Sequence, residues 1–374
     1  MPVICGAPAN VNGSCAVNSM KNNSTIIRAF FRRIIFRRIV FRRIVFRTVL
    51  ALLLTAAGAC TFLQDMTTRL PGPRLYEKGA EVIDGIRGFE RRIGFRETDN
   101  FQDVDHETES YPFCGFSPAF YLPYSYQDPA IRWIEVKTVE ECREEAGEGT
   151  DVYFDQTEAL GESGTPVTPS MLSGTLVRFV YLVLHEDCHD QFDLPFGIEE
   201  PLCNVITYHA MDAYAVEKDR FSALERVALR RYAVREPERT RQAKGYYEQL
   251  ESAYGRYSRR EISRQAAVEE RAKIFAAAER TLAWPKGALN NVGIANDMTY
   301  SRHYPYLESV YIALDRDLGR TVAFFRQVDR AKPSRAVVIK RLKVKDDKNL
   351  EFIRAYEAAV LETIEKELAG ELRR

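Results

Sequence analysis

His185-Glu186-Asp187-Cys188-His189 closes a largely apolar run, Leu176 to Leu184, and its residue types and spacing can do metal chemistry. On a helix, residues four apart share a face, so both imidazoles can bind one divalent cation. Glu186 is a turn-neighbour whose carboxylate can reach a water on that cation and take its proton. Two histidines and a glutamate in a mostly apolar helix are costly to bury unless something pairs with them. That favours a metal, with zinc first, over two polar residues at a helix end.

A zinc site needs a third protein ligand and, if catalytic, an open fourth position. Asp190-Gln191-Phe192-Asp193-Leu194-Pro195 supplies neither the glycine nor the third histidine of the HExxHxxGxxH branch. Asp193 reads better as loop solvation or a cap. Next comes Gly197-Ile198-Glu199-Glu200-Pro201-Leu202-Cys203-Asn204, leading into a helical pattern. Glu200, at the start of that second helix, can swing onto the metal. Asn204, four residues on, can accept the other ring N–H of a ligand histidine. Glu199 is the rival ligand, with Cys203 at the supporting offset. Neighbours on a helix point about 100° apart, so both glutamates are not expected on the metal face. Pro201 suggests that the helix only begins there.

Three segments carry a resemblance to a known family. They are LVLHEDCH preceded by Pro166 to Leu172, then IEEPLCNVI, then Leu289-Asn290-Asn291-Val292 through Met298-Thr299-Tyr300, Tyr304-Pro305 and Leu318 to Val328. With these motifs the chain resembles a family of bacterial predicted aminopeptidases, zinc proteins of the glutamate-ligand class that are often predicted lipoproteins. The similarity spans about residues 85 to 330, and only these motifs are specific. It implies a zincin-like fold, Zn²⁺ as cofactor, Glu200 on the metal-binding glutamate and a peptide substrate. Aminopeptidase action rests on the resemblance alone, because no residue can be assigned from sequence to hold a substrate ammonium.

Peptide hydrolysis also needs a donor for the oxyanion formed on attack. The candidates lie in Met298-Thr299-Tyr300-Ser301-Arg302-His303. The resemblance favours Tyr300, and spacing alone does not separate it from His303. Asn290 and Asn291 read as capping or turn residues more than as substrate contacts.

The elements that must position these groups are mixed. Leu75 to Phe95 has an amphipathic helical pattern. Strand-like runs follow at Ala119–Leu122, Ile131–Val136 and Asp151–Phe154, punctuated by proline and glycine. Thr168-Pro169 is a plausible helix start. From there helices are expected over 169–190, 200–234, 236–283, 303–330 and 348–372. The fold class is α+β, predominantly helical, with a small sheet ahead of the HExxH helix. The expected organisation is a signal or basic segment at 1–60, a tether at 61–74 and a domain at 75–374, with a small α/β part to 168 and a helical part from 169.

Residues 1 to 60 carry nine basic and no acidic side chains, with Phe-Arg-Arg-Ile/Val recurring every five residues. Val49 to Ala59 is too short to span a bilayer but suits a signal-peptide core. Ala57-Gly58-Ala59-Cys60 resembles a bacterial lipobox, so lipidation of Cys60 is expected. The expected location is the bacterial cell envelope, as a membrane-anchored lipoprotein facing the periplasm. The whole chain balances 53 basic against 53 acidic residues; without the leader's nine it stands at 44 against 53, a net of −9. An acidic exported domain has no electrostatic case for nucleic-acid binding. Of seven cysteines, Cys114, Cys142, Cys188 and Cys203 remain in a mature protein. Cys188–Cys203 with Cys114–Cys142 is the favoured pairing, because the first would tie the two ligand-bearing segments together.

The leading reading is a zinc metallopeptidase, with an aminopeptidase expected. The alternative is a catalytically weak, zinc-stapled envelope lipoprotein acting as a binding or assembly scaffold. A non-peptidase amidase using the same metal chemistry is a third reading.

Overall fold

The computed structural model describes residues 73–161, 164–217 and 220–373. All lie in the unit Thr67–Arg374; the other unit, Met1–Met66, is outside the described residues, as are the expected signal core, Cys60 and most of the tether. Helix α1, Pro73–Arg92, starts inside the segment expected to be tether. Its buried Ile83, Ile86 and Phe89 recur at helical spacing, and with Ile93 they face the main core.

Three strands follow: β1 (Tyr111–Pro118), β2 (Arg132–Ile134) and β3 (Thr150–Thr157). They form an antiparallel sheet in the order β2-β1-β3, with Cys114 opposite both Ile134 and Phe154. Gly115 faces Trp133, and a Cβ there would meet the indole at 2.4 Å, so this register needs a glycine. Helix α2, Val139–Ala146, is capped by the Thr138 side chain and bonded to β1 through the Cys114–Cys142 disulfide. The expected strand at Ala119–Leu122 is not one. The Asn291 side-chain amide donates to the carbonyls of Ala119 and Tyr121, so a side chain, not a ladder, takes these groups. The strand lies one segment earlier, over Tyr111–Pro118.

The rest is helical. Thr168 caps α3, Pro169–Ser173, and Thr175 caps α4, Leu176–His189, which carries both histidines of the motif. Helix α5, Phe196–Ala215, returns against α4. Then come α6 (Ala223–Ser258), opened by a Ser222/Glu225 capping box, and α7 (Arg264–Leu282). After them stand α8 (Asn291–Ser301), α9 (Tyr304–Ala313), α10 (Leu318–Ala331), α11 (Arg335–Leu342) and α12 (Leu350–Glu371). The break expected near residue 235 is absent: α6 runs through Pro237, and the chain turns after Ser258 instead. The described residues are thus mostly helical, with one small three-stranded sheet ahead of α4.

One core joins α1, α4, α5, α9, α10 and α12; a second joins α6, α7 and α8. Helix α4 is buried on every side from Phe179 to Cys188, so it runs through the main core and its polar residues must be paired there. Among the described residues, no helix is long and apolar enough to cross a membrane.

Candidate metal site

His185 and His189, one turn apart near the end of α4, project their Nε2 atoms to 3.3 Å of each other. Glu200 Oε2, from the second turn of α5, lies 3.1 Å from His185 Nε2 and 3.6 Å from His189 Nε2. Donor atoms about 2.0–2.1 Å from a tetrahedral zinc lie about 3.3–3.4 Å from one another, so these three fit one face of such a site. His185 and Glu200 are 4% and 6% exposed. Buried this deeply, two imidazole nitrogens and a carboxylate oxygen converging on one point suit a shared cation.

Charge follows the same geometry. Burial raises the Glu200 carboxyl, but the positive charge of His189 and hydrogen bonds from His185 and His189 override it and hold it at about 2. Burial lowers His189, and Glu200 with Glu199 overrides that too, holding this imidazole well above its ordinary value.

Glu199 is not a rival ligand but a support. Its Oε1 lies 2.9 Å from His189 Nδ1, and its Oε2 accepts from Leu194 N–H at 2.7 Å. A hydrogen on Nδ1 leaves the Nε2 lone pair for a metal. The 100° step between neighbours keeps Glu199 off the ligand point, as expected, and aims it at the far side of the ring. Asn204 does not take the supporting role assigned to it. Its Oδ1 accepts from the Tyr181 hydroxyl at 2.8 Å, and His185 Nδ1 has no hydrogen-bond partner among the described residues. The Tyr181 ring stacks on His185 at 5.2 Å, so Asn204 steadies that imidazole through the tyrosine. The helix start at Pro201 is corrected as well: α5 begins at Phe196, and Pro201, lacking an N–H, leaves the Gly197 carbonyl without its usual helical donor.

Glu186 is 7% exposed, and among the described residues no hydrogen bond engages its carboxylate. Burial raises this carboxyl, against the opposing charges of His185 and His189. Gly161 stands over this point. A Cβ there would lie 3.3 Å from Glu186 Oε2 and 3.5 Å from His189 Nε2, so a bare backbone closes on both side chains together. Tyr300, on α8, tilts its ring 6.3 Å from that of His185. Burial and the charge of Glu200 push its hydroxyl well above the ordinary range, keeping it a donor.

His303 goes elsewhere. Its Nε2 lies 3.0 Å from Glu357 Oε2, which also accepts from the Tyr124 hydroxyl at 2.7 Å. Among the described residues it makes no hydrogen bond or ion pair with the three converging side chains. Asp193 is at the surface, 3.6 Å from Lys332 Nζ. Asn290 caps α8, accepting from Val292 and Gly293, and its amide donates to the Val152 carbonyl of β3.

Cys188 and Cys203 are bonded, with Cα atoms 5.6 Å apart, which clamps α4 to α5 beside the site. Asp187 is fully buried; its Oδ1 accepts from the Thr98 hydroxyl at 2.6 Å and the Asn100 amide at 3.1 Å. Asn100 also donates to the Glu186 carbonyl. Sequence reasoning missed Gly161 and Asn100, which no motif marks and which reach the site only through the fold. Compared with known proteins, the chain matches no family model, no curated protein and no solved structure.

Proposed function

We propose that the chain is a zinc-dependent metallopeptidase of zincin-like architecture. The observation that carries this reading is the convergence of His185 Nε2, His189 Nε2 and Glu200 Oε2, with the Glu186 carboxylate, which makes no hydrogen bond among the described residues, beside them. A purely structural site needs the first three groups but has no use for a buried acid held back from hydrogen bonding. When bound, zinc polarises a carbonyl and makes a water nucleophilic near neutral pH.

The chain's own residues supply the rest. Glu186 accepts the proton of the attacking water at its carboxylate and passes it to the leaving amine; burial raises its basicity toward that task. Tyr300 donates its hydroxyl proton to the oxygen that gains charge. Glu199 fixes the tautomer of His189, and the Cys188–Cys203 bond holds the two ligand helices in register. Two disulfides suit an oxidising compartment, which supports the expected export to the envelope. The exopeptidase preference and the Cys60 lipid anchor belong to this proposal on the strength of the sequence alone.

The test is metal analysis of the purified chain together with peptide and amino-acid amide hydrolysis. Glu186→Gln should keep zinc at wild-type occupancy and lose about 10²–10⁴ in rate. If that variant keeps full activity on every substrate cleaved by wild type, Glu186 is not the base. The zinc-stapled scaffold takes the reading's place if the zinc-loaded wild type cleaves none of these substrates.

A further inference from the structure

A groove of about 420 Å³, lined by Tyr126, Trp133, Phe196, Phe352 and Tyr356 among others, opens at the start of α5, and none of the three converging side chains lines it. Most of its charged neighbours are engaged, whereas the side chains of Gln127 and Lys348, which also line it, make no hydrogen bond or ion pair among the described residues. Asp128 accepts from the Tyr121 hydroxyl and from the N–H groups of Tyr124 and Ala130. Glu357 is held by His303 and Tyr124, and Arg335 pairs with Asp347 at the rim. Aromatic faces make up much of the remaining lining. Tyr126 and Trp133 stack at 4.2 Å, and Phe196 lies 5.7 Å from Tyr126, so one wall is a continuous aromatic surface.

That wall leads to the ligands. Phe196 begins α5 and Glu200 follows four residues later, about 6 Å along the axis. Tyr126 is close enough to Glu200 for the carboxylate's charge to act on its hydroxyl. A guest in the groove would hold whatever it is attached to at the edge of the metal site. Gly197, next along α5, lets Glu357 of α12 approach closely, since a Cβ there would meet that carboxylate.

We infer that this groove is the specificity pocket for an apolar, preferentially aromatic, side chain of the peptide substrate. The inference rests on the metallopeptidase reading for the word substrate, and its test separates the two. Calorimetric titration of the full chain, with chelator present to stop turnover, would compare N-acetyl-L-phenylalaninamide with N-acetylglycinamide. The phenylalanine compound should bind at least about tenfold tighter, as burial of an aromatic ring implies. Tyr126→Ala and Phe352→Ala should each erase most of that preference. Tyr126 is half-buried, so its variant keeps the test open if loss of the buried Phe352 unfolds the chain. Equal binding of the two amides by wild type, or an unchanged preference in Tyr126→Ala, overturns the groove. Preferential binding without hydrolysis of any peptide sustains the groove and sinks the peptidase reading. Hydrolysis without preferential binding does the reverse.

Discussion

Glu199→Gln isolates the least obvious part of the site. In the wild type both carboxylate oxygens are used, Oε1 toward His189 Nδ1 at 2.9 Å and Oε2 toward Leu194 N–H at 2.7 Å. Glutamine has a single acceptor oxygen. If that oxygen keeps Leu194, the amide N–H₂ faces His189 and favours the tautomer with bare Nδ1 and protonated Nε2. The ligand lone pair is then lost until the ring is re-protonated or turned. If the oxygen keeps His189 instead, the buried Leu194 N–H loses its acceptor and the segment entering α5 loosens. Removing such a supporting partner typically costs 10–100-fold in metal affinity, or about 1.4–2.7 kcal/mol. Zinc dissociation constants from chelator competition should therefore rise by that factor. Glu200→Gln should lose more, because an amide oxygen is a poorer ligand than a carboxylate. Wild-type affinity in Glu199→Gln would refute the tautomer argument. A loss in Glu199→Gln as deep as that in Glu200→Gln would make Glu199 itself a ligand.

Three further outcomes follow from the same geometry. Because Glu200 and Glu199 hold His189 protonated well above its ordinary value, zinc must displace that proton. Zinc affinity should fall as pH drops through neutrality, and calorimetry in buffers of different ionisation heat should show about one proton released. In the metal-free protein the same pairing stabilises the fold below pH about 6.5, the unfolded value, and that contribution is lost as pH rises through the folded one. Replacing both Cys188 and Cys203 by alanine opens a link across 15 residues, worth about 3 kcal/mol in denaturant unfolding, and should also weaken zinc. Removing Cys114–Cys142, across 28 residues, should cost a similar amount and leave zinc unchanged. Glu90 and Asp187 are buried together, and burial raises both acids, Asp187 to about 6. Raised carboxyls stabilise below their unfolded values near 4 and lose that contribution as pH climbs through the folded ones. Glu90→Gln, which can donate to Asp187 at every pH, should narrow the fall in melting temperature between pH 5 and pH 8. An unchanged pH profile would show that the raised Glu90 and Asp187 carboxyls do not set the pH dependence.

The metal helix was legible because two periodicities coincide in it. The apolar run Leu176–Leu184 marks a buried helix, and His185 and His189 sit at the one spacing that shares a face. Glu200 was legible for a weaker reason, and the structure separates it from Glu199 by direction alone. The sheet was harder to place. Pro112 and Pro118 both lie within β1, the central strand, whose ladder to β3 runs from Tyr111 to Pro118. The break expected near residue 235 does not occur, and α6 continues through Pro237. Residues such as Gly161 and Tyr126 carry no local signal; only the fold brings them to α4 and α5, and a motif search does not see them.

The interior of the motif shows how much a buried helix asks of each position. Successive residues turn by about 100°, so His185 and His189 share one face while Glu186, Asp187 and Cys188 face three other directions. Each direction is occupied: Glu186 looks toward the space beneath Gly161, Asp187 is gripped by Thr98 and Asn100, and Cys188 is bonded to α5. The two positions that HExxH leaves unspecified thus fix the rotation of α4, one by hydrogen bonds and one covalently. A helix locked in rotation on two sides holds both imidazoles at one setting relative to Glu200, and a closed ligand triangle requires that setting. Substitutions at Asp187 or Cys188 should therefore disturb zinc binding through the angle of the helix, although neither side chain touches the ligand point.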